Sequence, residues 1–150
     1  MANLAPLTKN EVEKMVVDWY LALDVHKPIA EVMQFVSESE LEMVFPEATL
    51  HNLAEAEKLV RDGWYRLFFD EVHTMQSLDI KLSPDGQRAD IKLVVRWEAS
   101  KWTPPAPNSE RLKMDAYQTW VVKRSPASGK AVITRYVVDE LKLLPGSAPL

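Results

Sequence analysis

Cysteine is absent from the 150 residues, which removes disulfides, thiolate zinc sites, iron–sulfur ligation and cysteine nucleophiles together. Glycine is scarce too: Gly63, Gly86, Gly129 and Gly146 lie too far apart to form a phosphate-cradling loop. Eighteen basic and 22 acidic residues give a net charge of −4, and no basic cluster exceeds Lys123–Arg124, so the footprint of a nucleic-acid binder is missing. No apolar run approaches the roughly 20 residues that cross a bilayer, and Met1 to Leu7 lacks the basic start and apolar centre of a secretory signal. A Gly-x-Ser-x-Gly elbow is lacking, and His26, His51 and His73 fall in three separate elements without metal-ligand spacing. These absences predict a cytoplasmic chain with no metal, no cofactor, no nucleic-acid partner and no membrane association.

What is present suits a core. Hydrophobic residues make up 47% and charged residues 27%, and 5 Trp, 4 Tyr and 4 Phe are too many core formers for a disordered chain. A chain of this length buries roughly 68–70% of its unfolded surface, and no linker or repeat divides it, so residues 1–150 are expected to be one domain.

Thr8-Lys9-Asn10-Glu11 reads as a capping box, with Leu7 and Val12 in the hydrophobic-staple positions. Val12, Met15, Val16, Trp19, Ala22 and Leu23 then recur at helical spacing, which predicts a helix over 9–25. Pro28 starts a short helix, and Leu41-Met43-Phe45 alternates as a strand stopped by Pro46. Asn52 with Glu55 caps a helix over 53–69, in which Gly63 suggests close packing. From residue 72 the period becomes two. Leu78-Ile80-Leu82, Ile91 to Trp97, 113–124 and 131–143 read as four strands joined by turns at Ser83-Pro-Asp-Gly86, Thr103 to Ser109 and Ser125 to Gly129. The ends, 1–6 and 145–150, are expected to be loose. Helices first and hairpin-linked strands after them predict an α+β fold, with helices covering one face of a curved antiparallel sheet.

This order resembles the nuclear transport factor 2-like superfamily, which includes the SnoaL-like cyclases and ketosteroid isomerase. The resemblance is carried by Val16-Val17-Asp18-Trp19-Tyr20-Leu21-Ala22-Leu23, Ile29 to Met33, Leu41 to Pro46 and Ser128 to Tyr136, within residues 8–143. It implies a cone: the sheet wraps around the long first helix, with two further helices, and leaves an apolar cavity at its open end. Ketosteroid isomerase uses an Asp base, with a Tyr and a neutral Asp as donors to the developing oxyanion. By local text the tyrosine falls on Tyr20 and the neutral Asp on Gln118. The base falls on Phe45, which cannot move a proton. The resemblance therefore implies two donors without the usual base.

Strand alternation nominates a lining independently. Met114, Ala116, Gln118 and Trp120 share one face, and Thr134, Tyr136 and Val138 share another, with Ile133, Val137 and Leu141 on the opposite side. Trp19, Phe45, Trp64, Trp97 and Trp120 are candidate walls for a flat ligand or, equally, ordinary core. His51 and Glu47 are candidates for an acid–base pair at the rim.

Two functions follow. One is a small-molecule-binding domain, extending to a cofactor-free isomerase, cyclase or dehydratase acting on a hydrophobic carbonyl or hydroxyl compound. The other is a non-catalytic adaptor whose cavity is filled where Trp64, Trp97 and Trp120 meet. Two apolar faces on the last strands predict a homodimer that covers Ile133 and Val137.

Overall fold

The computed structural model describes residues 4–150. Helix α1 (Lys9–Asp24) is followed by α2 (Ile29–Val32) with a 3-10 turn over Met33–Phe35, and by strands β1 (Glu42–Phe45) and β2 (Ala48–Leu50). Helix α3 (Leu53–Lys58) runs into a π-helical turn (Leu59–Trp64) and a last α turn, α4 (Tyr65–Leu67). Four long strands complete the chain: β3 (Phe69–Leu82), β4 (Arg88–Lys101), β5 (Glu110–Arg124) and β6 (Ala131–Leu143). The sheet order is β2-β1-β6-β5-β4-β3. The expected α+β architecture is present, with one addition: β1 pairs with β6 in parallel, so the six-stranded sheet is mixed. Strand β2, placed after the Pro46 stop, extends the sheet beyond the expected five strands.

The start of α1 obeys half of its capping box. Thr8 accepts from the Glu11 amide at 3.2 Å, but the Glu11 carboxylate turns instead to Arg124, with N–O distances of 2.6 and 2.7 Å. A paired guanidinium offers more than an exposed amide, and it holds the Glu11 carboxyl below its ordinary range. Arg124 also donates to the carbonyls of Ala5, Pro6 and Gly129. The segment expected to be loose is thus tied down over residues 4–6; residues 1–3 lie outside the described residues. At the other end, Ser147 accepts from the Lys113 amide and the Ala148 amide donates to Arg111, so 145–150 is also anchored. None of the described helices is long and apolar enough to cross a membrane.

The core lies between α1 and the sheet. Val12, Val16 and Trp19 on α1 are fully buried, as are Ile91, Trp120 and Ile133 on the strands. Each such side chain contributes about 1.5–3 kcal/mol through burial. Trp19 meets Phe35, Trp64 and Tyr136 edge-on, with centroids 5.9, 6.4 and 6.0 Å apart.

Strict alternation fails where strands bulge. Register shifts fall between Met75 and Ser77 on β3, and opposite Tyr117/Gln118 and Val121/Val122 on β5. A bulge adds one residue and exchanges the faces beyond it. Ile133, Tyr136, Val138 and Leu141 consequently all pack toward the core cluster. Ile133, expected at a dimer interface, is covered by its own chain, where it also bridges to Val36.

Gly86 shows why a turn needs glycine. Its φ is +71°, its carbonyl accepts from the Leu7 amide at 2.7 Å, and an added Cβ would stand 2.6 Å from the Pro6 Cβ. Gly86→Ala is expected to cost about 1–3 kcal/mol and to lower the melting temperature by roughly 3–10 °C in a thermal unfolding scan.

Candidate functional site

A cavity of about 560 Å³ opens between the end of α1, the π-helical turn and the inner faces of β3 to β6. Its walls are largely aromatic: Tyr20, Phe45, Trp64, Phe68, Trp97 and Tyr136 all line it. Gly63, inside the π-helical turn, also lines it, and a Cβ there would crowd Leu59 at 3.3 Å.

The polar groups in this wall form a set. Asp24, the last residue of α1, carries a carboxylate at the negative end of the helix dipole, where an acid is disfavoured by about 0.3–1 kcal/mol. What offsets that cost is His73 on β3. The His73 backbone amide donates to Asp24 Oδ2 at 3.2 Å, and its ring Nδ1 pairs with Asp24 Oδ1 at 2.5 Å. An ionised carboxylate only accepts, so in the neutral ring the proton sits on Nδ1 and Nε2 keeps its lone pair. Nε2 has no partner among the described residues, and His73 lines the cavity. Its ring stacks on Tyr20 at 4.6 Å and on Trp97 at 6.5 Å.

Glu71, two residues earlier on the same face, repeats the motif with the partners exchanged. Its carboxylate accepts from His26 Nε2 at 2.6 Å and from Trp97 Nε1 at 3.1 Å. His26 stacks on Tyr65 at 4.2 Å, and the Tyr65 hydroxyl donates to the Lys27 carbonyl. His26 and Asp70 have φ of +51° and +49°, the left-handed region that costs a non-glycine residue energy; His26 belongs to the second pair and Asp70 directly precedes Glu71.

Donors line the same cavity. The Tyr20 hydroxyl is buried with no hydrogen-bond partner among the described residues, an arrangement that costs about 1–3 kcal/mol. Burial, reinforced by the neighbouring Tyr136, pushes the Tyr20 phenol well above its ordinary value. Burial likewise raises Tyr136 to about 12. Both stay protonated donors at neutral pH. Gln118 accepts from Trp120 Nε1 at 2.9 Å; an indole can only donate, so the amide oxygen is the atom turned to Trp120, and Gln118 lines the cavity.

Several expected site residues stand elsewhere. His51 is exposed beyond β2, its amide bonded to Glu55, and it does not line the cavity, so the proposed pair with Glu47 does not form. Glu47 is on the rim alone. Trp19 and Trp120 are fully buried behind the wall as core. Thr134 sits at a β6 bulge, where its hydroxyl donates to the Val121 carbonyl rather than toward the cavity. Tyr20, Gln118, Phe45, Trp64, Trp97 and Tyr136 do line it together. The three tryptophans expected to meet in a filled cavity do not: Trp64 and Trp97 face an open volume, and Trp120 lies behind. His73 with Asp24 was missed altogether. The one signal available was an acid in the final turn of an otherwise regular helix.

This architecture is the cystatin-like α+β fold of nuclear transport factor 2-like proteins, as the similar solved structures show. A scytalone dehydratase-like protein from Novosphingobium aromaticivorans is 16% identical, with TM-score 0.68, covering 94% of this chain and 91% of its own. The hexachlorocyclohexane dehydrochlorinase LinA-type3 from Novosphingobium barchaimii is 12% identical, with TM-score 0.71, covering 95% and 93%. A nuclear transport factor 2-like protein with a cystatin-like fold, also from Novosphingobium aromaticivorans, is 16% identical, with TM-score 0.65, covering 93% and 84%. No protein-family model matches the chain, and no curated sequence does.

The raised phenols give a direct test. A tyrosine whose folded pKa exceeds its unfolded value of about 10 stabilises the fold below pH 10, and that contribution is lost as pH rises toward 12. Tyr136→Phe should therefore leave the native absorbance at 295 nm unchanged between about pH 9.5 and 10.5, and should flatten the alkaline loss of stability.

Proposed function

We propose that the chain is a cofactor-free enzyme that removes a proton from carbon in a hydrophobic cyclic compound, and that it acts as a lyase of the dehydratase type. The observation that carries this reading is the Asp24–His73 pair, with Nε2 unpartnered among the described residues at a cavity that Tyr20 and Gln118 also line. Two of the similar structures are named for eliminations, one as a dehydratase and one as a dehydrochlorinase, which supports this reading.

The groups divide the work. Asp24 holds the imidazole in one tautomer and stabilises the imidazolium once it forms. His73 Nε2 takes the proton from the carbon next to a carbonyl. The electron pair of that C–H bond becomes the new double bond, and the leaving group departs from the adjacent carbon with its own bonding pair. Where the leaving group is hydroxide, the imidazolium returns the proton and water is the product. Tyr20 and the Gln118 amide donate to the carbonyl oxygen as negative charge builds on it. Against an aromatic, low-dielectric wall those two hydrogen bonds are stronger than in water. Trp64, Trp97 and Phe45 hold a flat ring against the base. The base that Phe45 cannot supply enters from the opposite wall.

The same reading keeps the homodimer as a proposal, with its support moved. Val17, Leu21 and Val25 form an exposed apolar ridge along α1, whereas Ile133 is internal. Light scattering at micromolar concentration should give about twice 17.1 kDa.

Turnover of a panel of bicyclic β-hydroxy ketones, followed by ultraviolet absorbance of the conjugated product, tests the chemistry. His73→Ala should lower kcat/KM by about 10²–10⁴-fold, and Asp24→Asn should cost a comparable factor by releasing the ring from its tautomer. Both variants should still bind the product. Undiminished turnover by His73→Ala would contradict the assignment of the base.

A further inference from the structure

The chain has seven arginines, and six are engaged. Arg61 bonds to Glu57 and Asp62, Arg88 to Asp90, Arg96 to Asp115 and Arg135 to Glu42. Arg111 donates to the Asp70 carbonyl and Ser100, and Arg124 to Glu11. Arg66 has no hydrogen bond or ion pair among the described residues, and it is the one that lines the cavity. It lies in α4, straight after the π-helical turn and beside Leu67; Leu67 and Trp102 line the cavity with it. Those two apolar side chains are 57% and 53% exposed, which marks this end of the cavity as its mouth. The other cation there, Lys101, already donates to the Pro149 carbonyl at 2.7 Å and stands 3.8 Å from Glu110. Glu47, on the same rim, makes no ion pair with Arg66.

We infer that Arg66 reads an anionic group on the ligand, so that the compounds taken up are hydrophobic carboxylates with a second oxygen at the opposite end. The inference rests on the cavity reading above and assigns the polarity of its ligand. The inner pole is uncharged: Tyr20 and Gln118 are neutral donors and suit a carbonyl or hydroxyl oxygen. The outer pole is a free guanidinium at the water boundary, whose fork matches a carboxylate and whose partner keeps part of its hydration. Between the poles the wall is apolar and aromatic. A carboxylate placed at the inner end would lose its water against Trp97 and Tyr136 and meet the Glu71 carboxylate that Trp97 holds, so the charged end belongs outside. The charge also gives direction, because a ligand attracted by the mouth enters with its neutral end first.

Matched probes test this: 6-hydroxy-2-naphthoate and its neutral amide, 6-hydroxy-2-naphthamide, titrated calorimetrically into the whole protein. The carboxylate should bind roughly three- to tenfold tighter than the amide at low salt, with the difference shrinking as ionic strength rises. Arg66→Gln should remove the difference and leave the amide affinity unchanged. If Arg66→Gln leaves the preference for the carboxylate intact, or if the unmodified protein prefers the amide, the inference is overturned while the cavity reading survives. Binding of neither probe, or binding of both undiminished in the cavity-filling Gly63→Phe, would overturn the cavity reading and the inference with it.

Discussion

The contact between the last turn of α1 and β3 governs the site. Asp24 receives two donors from one residue, the amide and the ring of His73, which fixes both the height of β3 against the helix and the plane of the imidazole. Two residues after Asp24 and two before His73, His26 and Glu71 make the reciprocal pair. Acid on helix to histidine on strand, then histidine after helix to acid on strand: the two pairs lock translation and rotation together. An unpaired buried carboxylate would cost several kcal/mol, so each acid depends on its histidine as much as the reverse. The left-handed backbone at His26 and Asp70 is the local distortion that this fit requires.

The cavity adjoins that lock. Beside the locked end of α1 and β3, aromatic side chains wall an open volume of about 560 Å³ instead of filling it. The π-helical turn at Leu59–Trp64 adds a residue to its turn and brings Gly63 and Trp64 to the same opening. Behind the wall, Trp120 sets the Gln118 amide by donating to its oxygen, and its ring stacks on Tyr136 at 4.9 Å. Buried residues that never touch the volume therefore decide which atoms face it.

How much of this the sequence reveals depends on distance along the chain. Helix α1 is legible because its cap and stripe are local, and the β4 and β5 strands are legible because their faces alternate cleanly. His73 is hidden by the bulge at Met75/Ser77. Counting back in twos from Leu82, Ile80 and Leu78 puts Val72 inside and His73 outside, whereas Val72 is in fact exposed and His73 faces Asp24. The same arithmetic misplaces Thr134 and Ile133 on β6. Asp24 and His73 are 49 residues apart, so only the tertiary fold makes them a pair. Tyr20 and Gln118 were accessible by resemblance because they lie in regular stretches of α1 and β5. The acid at the end of α1 breaks a local rule, and such breaks concentrate at working sites.

Nitrogen-15 correlation spectra of the histidine rings, recorded where the imidazoles are neutral, examine the central claim that Asp24 sets His73 as a base facing the cavity. The account predicts that His73 carries its proton on Nδ1, that Nε2 shows the shift of an unprotonated ring nitrogen, and that Asp24→Asn abolishes this preference. A His73 ring protonated on Nε2, or one whose tautomer is indifferent to Asp24→Asn, would contradict it.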